Sequence, residues 1–287
     1  MSAHTAPRCA ARRNTAGRHT ARRPAAGRLT ARRSAVLLAA LAVGLTAAAC
    51  GDSSDGDAAP PASPPAPAPV IDPGDGGRYA PEVDPADFGG PIDNPYLPLL
   101  PGARWVYEGT SDGEVERIEV VVTDQRRRVM GIEAVVVRDT VTVGGDVVED
   151  TDDWFAQDAA GNVWYLGEAS TEYEGGEPVS TEGSWEAGVG GALPGIVMPA
   201  EPAVGHAYRQ EYDEGDAEDL AEVLAVDGRA TVAGDTYREL LVTREWNPLE
   251  PATVEEKSYA AGVGLVLEVV TAGGEGRVEL VEFTPGG

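Results

Sequence analysis

The stretch from Ile132 to Glu168 constrains the fold of this chain more than any other. Residues 132–143 are β-branched and aliphatic, and Gly144-Gly145 breaks the run before a second strand-like segment. A Gly-Gly pair supplies the two positive φ angles of a type I′ turn, whose twist matches that of the flanking strands. A further turn signal, Gly161-Asn162, precedes Val163-Trp-Tyr-Leu166. The stretch therefore predicts two consecutive β-hairpins.

Strand-like runs separated by glycine-containing turns continue on both sides of these hairpins. They cover residues 102–109, 114–123, 170–174, 206–212, 217–227, 237–245, 255–260, 265–270 and 277–283. Residues 217–227 also fit a helix, and the β neighbours favour the strand. Strands and helices do not alternate regularly, so a parallel sheet is not expected. The predicted fold class is mainly β, with a single antiparallel sheet built of consecutive hairpins.

Residues 178–205 break this pattern, because they contain too much glycine and proline for a regular element. Long loops inside compact domains are often functional. This loop also carries large apolar side chains, which need a surface to cover. We therefore expect a long Gly/Pro-rich loop that borders any ligand site, and the candidate ligand-binding residues are Trp185, Leu193, Ile196 and Met198.

The first 49 residues have the features of an export signal. They contain nine arginines and no acid, and they end in the largely apolar run 35–49. Ala47-Ala48-Ala49-Cys50 resembles the lipobox of bacterial lipoproteins, although alanine stands at 47 where leucine is usual. We predict cleavage before Cys50 and lipidation, palmitate included, of that cysteine. A Sec signal cut elsewhere is the alternative, and Arg32-Arg33 leaves twin-arginine export open.

Composition divides the remaining chain into a tether and a domain. Residues 50–91 are rich in proline, alanine and aspartate and have few large apolar residues, which predicts a disordered, semi-stiff tether. The β domain is expected to span 92–287. Together these features predict an extracytoplasmic protein that is lipid-anchored on the outer face of the cell membrane.

Charge excludes two classes of partner. The chain carries 48 acids and 22 bases, a net charge of −26. Removal of the nine signal arginines leaves 13 bases and a net charge of about −35. Such a chain repels nucleic acids and anionic lipid headgroups. Cys50 is then the single mature cysteine, so no intramolecular disulfide and no thiolate metal cluster is expected.

Several segments resemble an uncharacterised group of bacterial secreted lipoproteins. They are Asn94-Pro-Tyr-Leu-Pro-Leu-Leu-Pro-Gly-Ala-Arg-Trp-Val-Tyr-Glu-Gly109, 149–158, 161–165, 183–188, 194–200, 208–212 and 258–266. The resemblance covers about residues 94–283. It implies a strongly curved antiparallel sheet, half-barrel or barrel-like, of the kind that lipoprotein carriers also use. It brings no established activity, cofactor or catalytic residue with it.

Catalytic motifs are sparse. His206 is the single histidine after the signal, and no G-x-S-x-G motif presents a serine. A histidine that follows glycine is more typical of a strand start than of a base, so we expect no enzymatic activity. The first hypothesis is a binding module for an apolar or lipid-like ligand. The second is a cell-envelope protein-interaction module without a small-molecule ligand.

The central hairpin predicts one further site. If Val143 pairs with Asp146 across the turn, Asp139 faces Asp150, and Asp152 lies on the same side. Like charges directly opposite destabilise a sheet, so these carboxylates need an arginine, a shared proton, a bound hard cation such as Ca²⁺, or full solvation. The candidate metal ligands are Asp139, Asp150 and Asp152, and no other cofactor is expected.

Overall fold

The computed structural model describes residues 79–111 and 114–287, and the description below concerns these residues. They form fifteen β-strands and one turn of 3-10 helix at Pro85–Asp87. The strands are β1 (Arg104–Ser111), β2 (Glu114–Val129), β3 (Ile132–Val143), β4 (Asp146–Gln157), β5 (Val163–Glu174), β6 (Glu177–Ser180), β7 (Trp185–Glu186), β8 (Leu193–Met198), β9 (Ala207–Arg209), β10 (Glu211–Tyr212), β11 (Leu220–Val232), β12 (Asp235–Trp246), β13 (Val254–Ala260), β14 (Gly264–Ala272) and β15 (Gly276–Thr284). Within this part of the chain, no helix has the length and apolar character needed to cross a membrane.

All fifteen strands belong to one antiparallel sheet, which confirms the predicted fold class. The strand order is β10-β8-β5-β4-β3-β2-β1-β15-β14-β13-β12-β11-β9, and the short strands β6 and β7 also pair with β5. Strands that are neighbours in sequence are mostly neighbours in the sheet, as a chain of hairpins requires.

The predicted hairpins are confirmed. β3 and β4 have the predicted bounds, and Gly144 and Gly145 in the turn between them have φ angles of 62° and 95°. In the first hairpin, Trp105 pairs with Val120 and Tyr107 with Ile118, so the four side chains share one face as expected. The Asp112-Gly113 turn predicted for that hairpin lies outside the described residues.

The two ends of the strand order are halves of one segment, residues 207–212. β9 pairs with β11 and β10 pairs with β8, and Gln210 lies between the two halves. The Gln210 amide donates to the carbonyl oxygen of Asp219 at 2.7 Å. A Cβ atom on Gly195 would lie 2.1 Å from the Gln210 carbonyl oxygen, so only glycine allows β8 to approach this closely. The sheet must therefore curve far enough to bring its ends together at Gln210.

Two boundaries differ from the sequence expectation. Within the described residues, contact with the sheet is already made at Tyr79, before the expected start at Ile92, because the Tyr79 side chain is buried and its hydroxyl donates to the carbonyl oxygen of Pro194 at 2.7 Å. Residues 178–205 were expected to form one long loop, yet they contain β7, β8 and part of β6. Backbone pairing with β5 explains this difference, since it stabilises short strands despite a sequence rich in glycine and proline.

The hydrophobic core includes residues from both sides of the sheet, because Val136 and Val137 are consecutive in β3 and both are buried. Alternate residues of paired strands point to the same side, and we call the inner face the side on which Tyr107, Ile118 and Val137 pack. The other side carries exposed ion pairs, such as Arg117 with Glu108 at 2.9 Å and Arg244 with Glu222 at 2.8 Å.

Candidate functional site

Many carboxyl groups lie on or beside the inner face, and together we call them the carboxyl wall. They belong to Glu116, Asp139, Glu149, Asp153, Glu168, Glu211, Asp219, Glu245, Glu255 and Glu268. Strand alternation places them there, because each faces an inner-face residue of the neighbouring strand or lies two residues from one. Of these residues, the sequence analysis singled out only Asp139, as one of the carboxylates that need a neutralising partner, and it missed the others.

Lys257, the single lysine of the chain, lies within this wall. Its Nζ atom is 2.7 Å from Oε2 of Glu245, and both side chains are buried. The other carboxylate oxygen of Glu245 accepts hydrogen bonds from the Thr243 hydroxyl at 2.8 Å and the Tyr259 hydroxyl at 3.2 Å. Burial acts to lower the pKa of Lys257, but the carboxylates of Glu245, Glu268 and Glu255 raise it overall. The lysine is therefore held as an ammonium ion.

The carboxyl groups around Lys257 outnumber it. Glu268 lies directly across the sheet from Lys257, and Glu255 precedes Lys257 on the same face. Burial raises the pKa of Glu268 well above its usual range, and the neighbouring Glu255 raises it further. Burial also raises the pKa of Glu255, although Lys257 opposes this. Both groups therefore favour the protonated form more than a solvated glutamate does.

Several buried polar oxygens around the Lys257–Glu245 ion pair lack a hydrogen bond within the described residues. Three of them are Oε2 of Glu255, Oε2 of Glu268 and the hydroxyl of Tyr208, whose residues are 5%, 6% and 1% exposed. The Tyr208 hydroxyl also feels the charge of Glu245, which adds to burial in raising its pKa. Unpartnered oxygens at this depth are rare in folded proteins, because each loses its hydration without compensation.

A second part of the wall lies on β4 and β5. The Tyr165 hydroxyl donates to Oδ1 of Asp153 at 2.5 Å. Burial raises the pKa of Asp153 to about 7, and Glu149 and Glu211 add to the rise. Burial and Glu211 likewise raise the pKa of Glu168. Asp153 and Glu168 are half-buried, so solvent reaches the wall on this side.

Glu211 and Asp219 connect the two parts. The indole nitrogen of Trp185 donates to Oε2 of Glu211 at 3.0 Å, which fixes this carboxylate on the inner face. Burial raises the pKa of Asp219 well above its usual range, and the adjacent Glu211 raises it further. Since Glu211 also acts on Asp153 and Glu168, the carboxyl wall is electrostatically continuous from β4 to β14.

The expected grouping of Asp139, Asp150 and Asp152 is wrong. A bulge between Val141 and Thr142 shifts the β3–β4 register by one residue, so Asp139 faces Thr151 on the inner face. Asp150 and Asp152 lie on the opposite face, where Arg138 donates to both oxygens of Asp152 at 2.9 Å. The neutralising arginine, one of the alternatives, is therefore present. Among residues 79–111 and 114–287, no three His, Cys, Asp or Glu side chains are placed to hold a metal ion.

The predicted ligand-binding residues belong to the core. Trp185, Ile196 and Met198 are 5%, 2% and 0% exposed, and Leu193 is half-buried at the start of β8. They pack into the sheet and do not form an open apolar surface. A surface depression of about 250 Å³ lies elsewhere and is lined by 87–91, 93 and 157–159.

The remaining predicted residues lie at or beyond the edge of the site. Cys50 lies outside the described residues. His206 lies just before β9 and is half-buried, and its Nδ1 atom has no hydrogen-bond partner in the described part of the chain. The sequence carried no local signal for the Lys257–Glu245 ion pair, because the two residues lie on different strands.

No protein-family model matches this chain, and no curated protein does. Two solved structures show a distant likeness. A candidate exported protein with a YmcC-like fold from Bacteroides fragilis is 13% identical, with 64% of this chain and 96% of that chain covered and a TM-score of 0.39. A candidate lipoprotein from Parabacteroides distasonis is 12% identical, with 66% and 98% covered and a TM-score of 0.37.

Proposed function

We propose that this protein is a lipid-anchored, extracytoplasmic binding module without catalytic activity. Its sequence supplies the anchor at Cys50 and a Pro-rich tether, and its domain supplies a continuous carboxyl wall on the inner face of one sheet. The observation that carries the binding role is the set of buried, unpartnered oxygens around Lys257. A scaffold that only fills space gains nothing from such groups, because each one destabilises the fold.

The absence of catalysis is inferred from His206. A histidine base needs a partner that orients its ring, and Nδ1 of His206 has none within the described residues. Lys257 is engaged with Glu245 and held as an ammonium ion, which is not a nucleophile.

The chemistry of the inner face favours a polar ligand over the apolar or lipid-like ligand that the sequence predicts. Trp185, Ile196 and Met198 are used in the core, and carboxyl groups occupy the neighbouring positions of the inner face. The second candidate is an envelope protein-interaction module without a small-molecule ligand. The dense packing of β7 and β8 on β5 supports that alternative.

Anchoring is tested by Cys50→Ser. We expect the variant to leave the membrane fraction, since a serine cannot carry the lipid, while Cys9→Ser in the signal leaves the protein membrane-bound. If Cys50→Ser protein stays with the membrane, the anchor is elsewhere.

The ligand class is tested by solvent extraction of the purified, folded protein and mass spectrometry. We expect no stoichiometric lipid beyond the anchor itself. A stoichiometric co-purified lipid would favour the apolar-ligand alternative.

A further inference from the structure

The surroundings of Lys257 hold more carboxyl groups than cationic groups. One ammonium group faces the carboxyl groups of Glu245 and Glu268, with Glu255 beside it, and all are buried. Asp219 is 2% exposed and feels the charges of both Lys257 and Glu245. Carboxylates in a low-dielectric interior need protons or cations as neutralising partners. Lys257 provides one positive charge, which can neutralise only one of these carboxylates.

The unpartnered oxygens indicate what kind of partner fits. Oε2 of Glu255, Oε2 of Glu268 and the Tyr208 hydroxyl can all accept a hydrogen bond. Glu255 on β13 and Glu268 on β14 lie on adjacent strands, whereas Tyr208 on β9 is separated from them by β11 and β12. A ligand that satisfies them must therefore present several N–H or O–H donors in different directions, as an alkylammonium group does.

A metal ion does not match this arrangement. The described residues contain no group of three ligating side chains placed to hold one. An ammonium group needs acceptors at hydrogen-bond distance without a fixed coordination geometry, and it also gains from nearby aromatic rings. Tyr208 and Tyr259 lie beside Glu245 and supply such rings.

The length of the carboxyl wall indicates more than one positive charge on the ligand. Asp153 and Glu168 pair directly across β4 and β5, and Glu168 also pairs with Trp185, whose indole donates to Glu211. They form a second acidic position that solvent reaches. We propose that the carboxyl wall binds a small linear polyamine, with one ammonium group at Glu255 and Glu268 and another at Asp153 and Glu168. This inference rests on the proposed function, and it names the ligand class of that binding module.

Spermidine is the probe for this proposal, and 1,4-butanediol and Ca²⁺ are the comparison ligands. Isothermal titration of the mature protein, purified in a nonionic detergent, is done at about 0.15 M salt, where long-range attraction between exposed charges is largely screened. We expect saturable one-to-one binding of spermidine, a rise in Tm with spermidine, and neither effect with 1,4-butanediol.

Matched variants locate the site. Glu255→Gln and Asp153→Asn are each expected to weaken spermidine binding at least tenfold. Glu256→Gln and Asp152→Asn change the net charge by the same amount on the opposite face, and they are expected to change the affinity less than twofold. Glu268→Gln is the second variant for the Lys257 end, in case Glu255→Gln does not fold.

Three results would overturn the proposal. The first is no saturable binding of spermidine to the wild-type protein. The second is equal weakening by the inner-face variants and their outer-face controls, which would show general attraction to an acidic surface. The third is Ca²⁺ binding that depends on Glu255 in a protein that spermidine does not stabilise. None of these results affects the membrane fractionation of Cys50→Ser, so failure of the ligand assignment is distinguishable from failure of the anchoring proposal.

Discussion

Nζ of Lys257 on β13 and Oε2 of Glu245 on β12 lie 2.7 Å apart, and the two side chains are 9% and 1% exposed. They are not directly opposite in the ladder, because Lys257 pairs with Thr243 and Glu245 with Glu255. The ion pair thus runs diagonally across two strands and brings one ammonium group among several carboxylates. This contact determines the charge balance of the inner face.

Removal of the Lys257 ammonium group should lower the free energy of unfolding. In Lys257→Met, Glu245 stays buried without its counter-ion, and breaking a buried pair in this way typically destabilises by about 3–5 kcal/mol. Arg229→Met is the matched control, because it removes one positive charge from an exposed site on β11 and should change stability by less than about 0.5 kcal/mol. Urea unfolding at neutral pH measures both. Equal midpoints for the two variants would contradict a neutralising role for Lys257.

Asp153 should make stability depend on pH. Its folded pKa is raised to about 7 by burial, whereas an unfolded aspartate has a pKa of about 3.9. Between these values the folded chain binds more protons than the unfolded chain, so the stabilisation from this group is complete below about pH 4 and is lost as the pH rises through about 7.

Asp153→Asn removes that titration. We expect the Tm of the variant to fall less steeply with pH than that of the wild type. The two Tm values should match near pH 4, and the variant should have the higher Tm above pH 7. Each 1 kcal/mol in the free energy of unfolding corresponds to about 2–4 °C in Tm. Thermal unfolding across this pH range is the measurement. A variant that follows the wild-type slope throughout would show that Asp153 is solvated.

The sequence predicted the hairpins well and the buried charges poorly. Gly144-Gly145 specified the central turn, because few other residue pairs adopt two positive φ angles. The bulge after Val141 was not predictable, since it depends on how β4 fits between β3 and β5, and one residue of shift moved Asp150 to the outer face. Lys257 is buried against Glu245 of the neighbouring strand, and no local pattern encodes this contact.

The turn between β4 and β5 should depend on one aspartate. Oδ1 of Asp158 accepts bonds from the amides of Ala160 and Asn162, and Oδ2 accepts from the Asn162 side chain and the Trp164 indole. Asp158→Ala leaves these donors unpaired, and we expect a loss of about 2–4 kcal/mol, since charge-assisted hydrogen bonds contribute about 1.5–3 kcal/mol each before relaxation. Asp146→Ala, in the exposed β3–β4 turn, is the control and should be nearly neutral. A similar effect of both substitutions would mean that the Asp158 bonds contribute little.

The close contact between β8 and Gln210 should not tolerate a side chain on Gly195. An added Cβ would lie 2.1 Å from the Gln210 carbonyl oxygen and 2.6 Å from the Glu211 amide nitrogen, and both are backbone atoms that cannot rotate away. We expect Gly195→Ala to destabilise by about 3 kcal/mol or more, at the upper end of overpacking effects. Gly90→Ala, where an added Cβ meets nothing within 4 Å, should leave the unfolding midpoint unchanged. An undisturbed Gly195→Ala protein would show that β8 and β10 do not pack this closely.

The domain should include Tyr79 and not begin as late as Ile92. The Tyr79 ring packs edge-on against Tyr212 with centroids 5.7 Å apart, and its hydroxyl donates to the Pro194 carbonyl oxygen. Tyr79 therefore packs beside the contact between β8 and β10. Phe88, further along, packs against Trp164 at 6.4 Å. A chain that begins at residue 92 loses both contacts, and we expect it to unfold at lower urea concentration than a chain that begins at residue 79.

Tyr79→Ala in the mature protein should lower the free energy of unfolding by about 3 kcal/mol, because it removes one buried aromatic side chain. Tyr79→Phe keeps the ring and should lose only about 1 kcal/mol, the contribution of the hydrogen bond. Identical unfolding midpoints for the two chain lengths would restore Ile92 as the boundary and leave residues 79–91 to the tether.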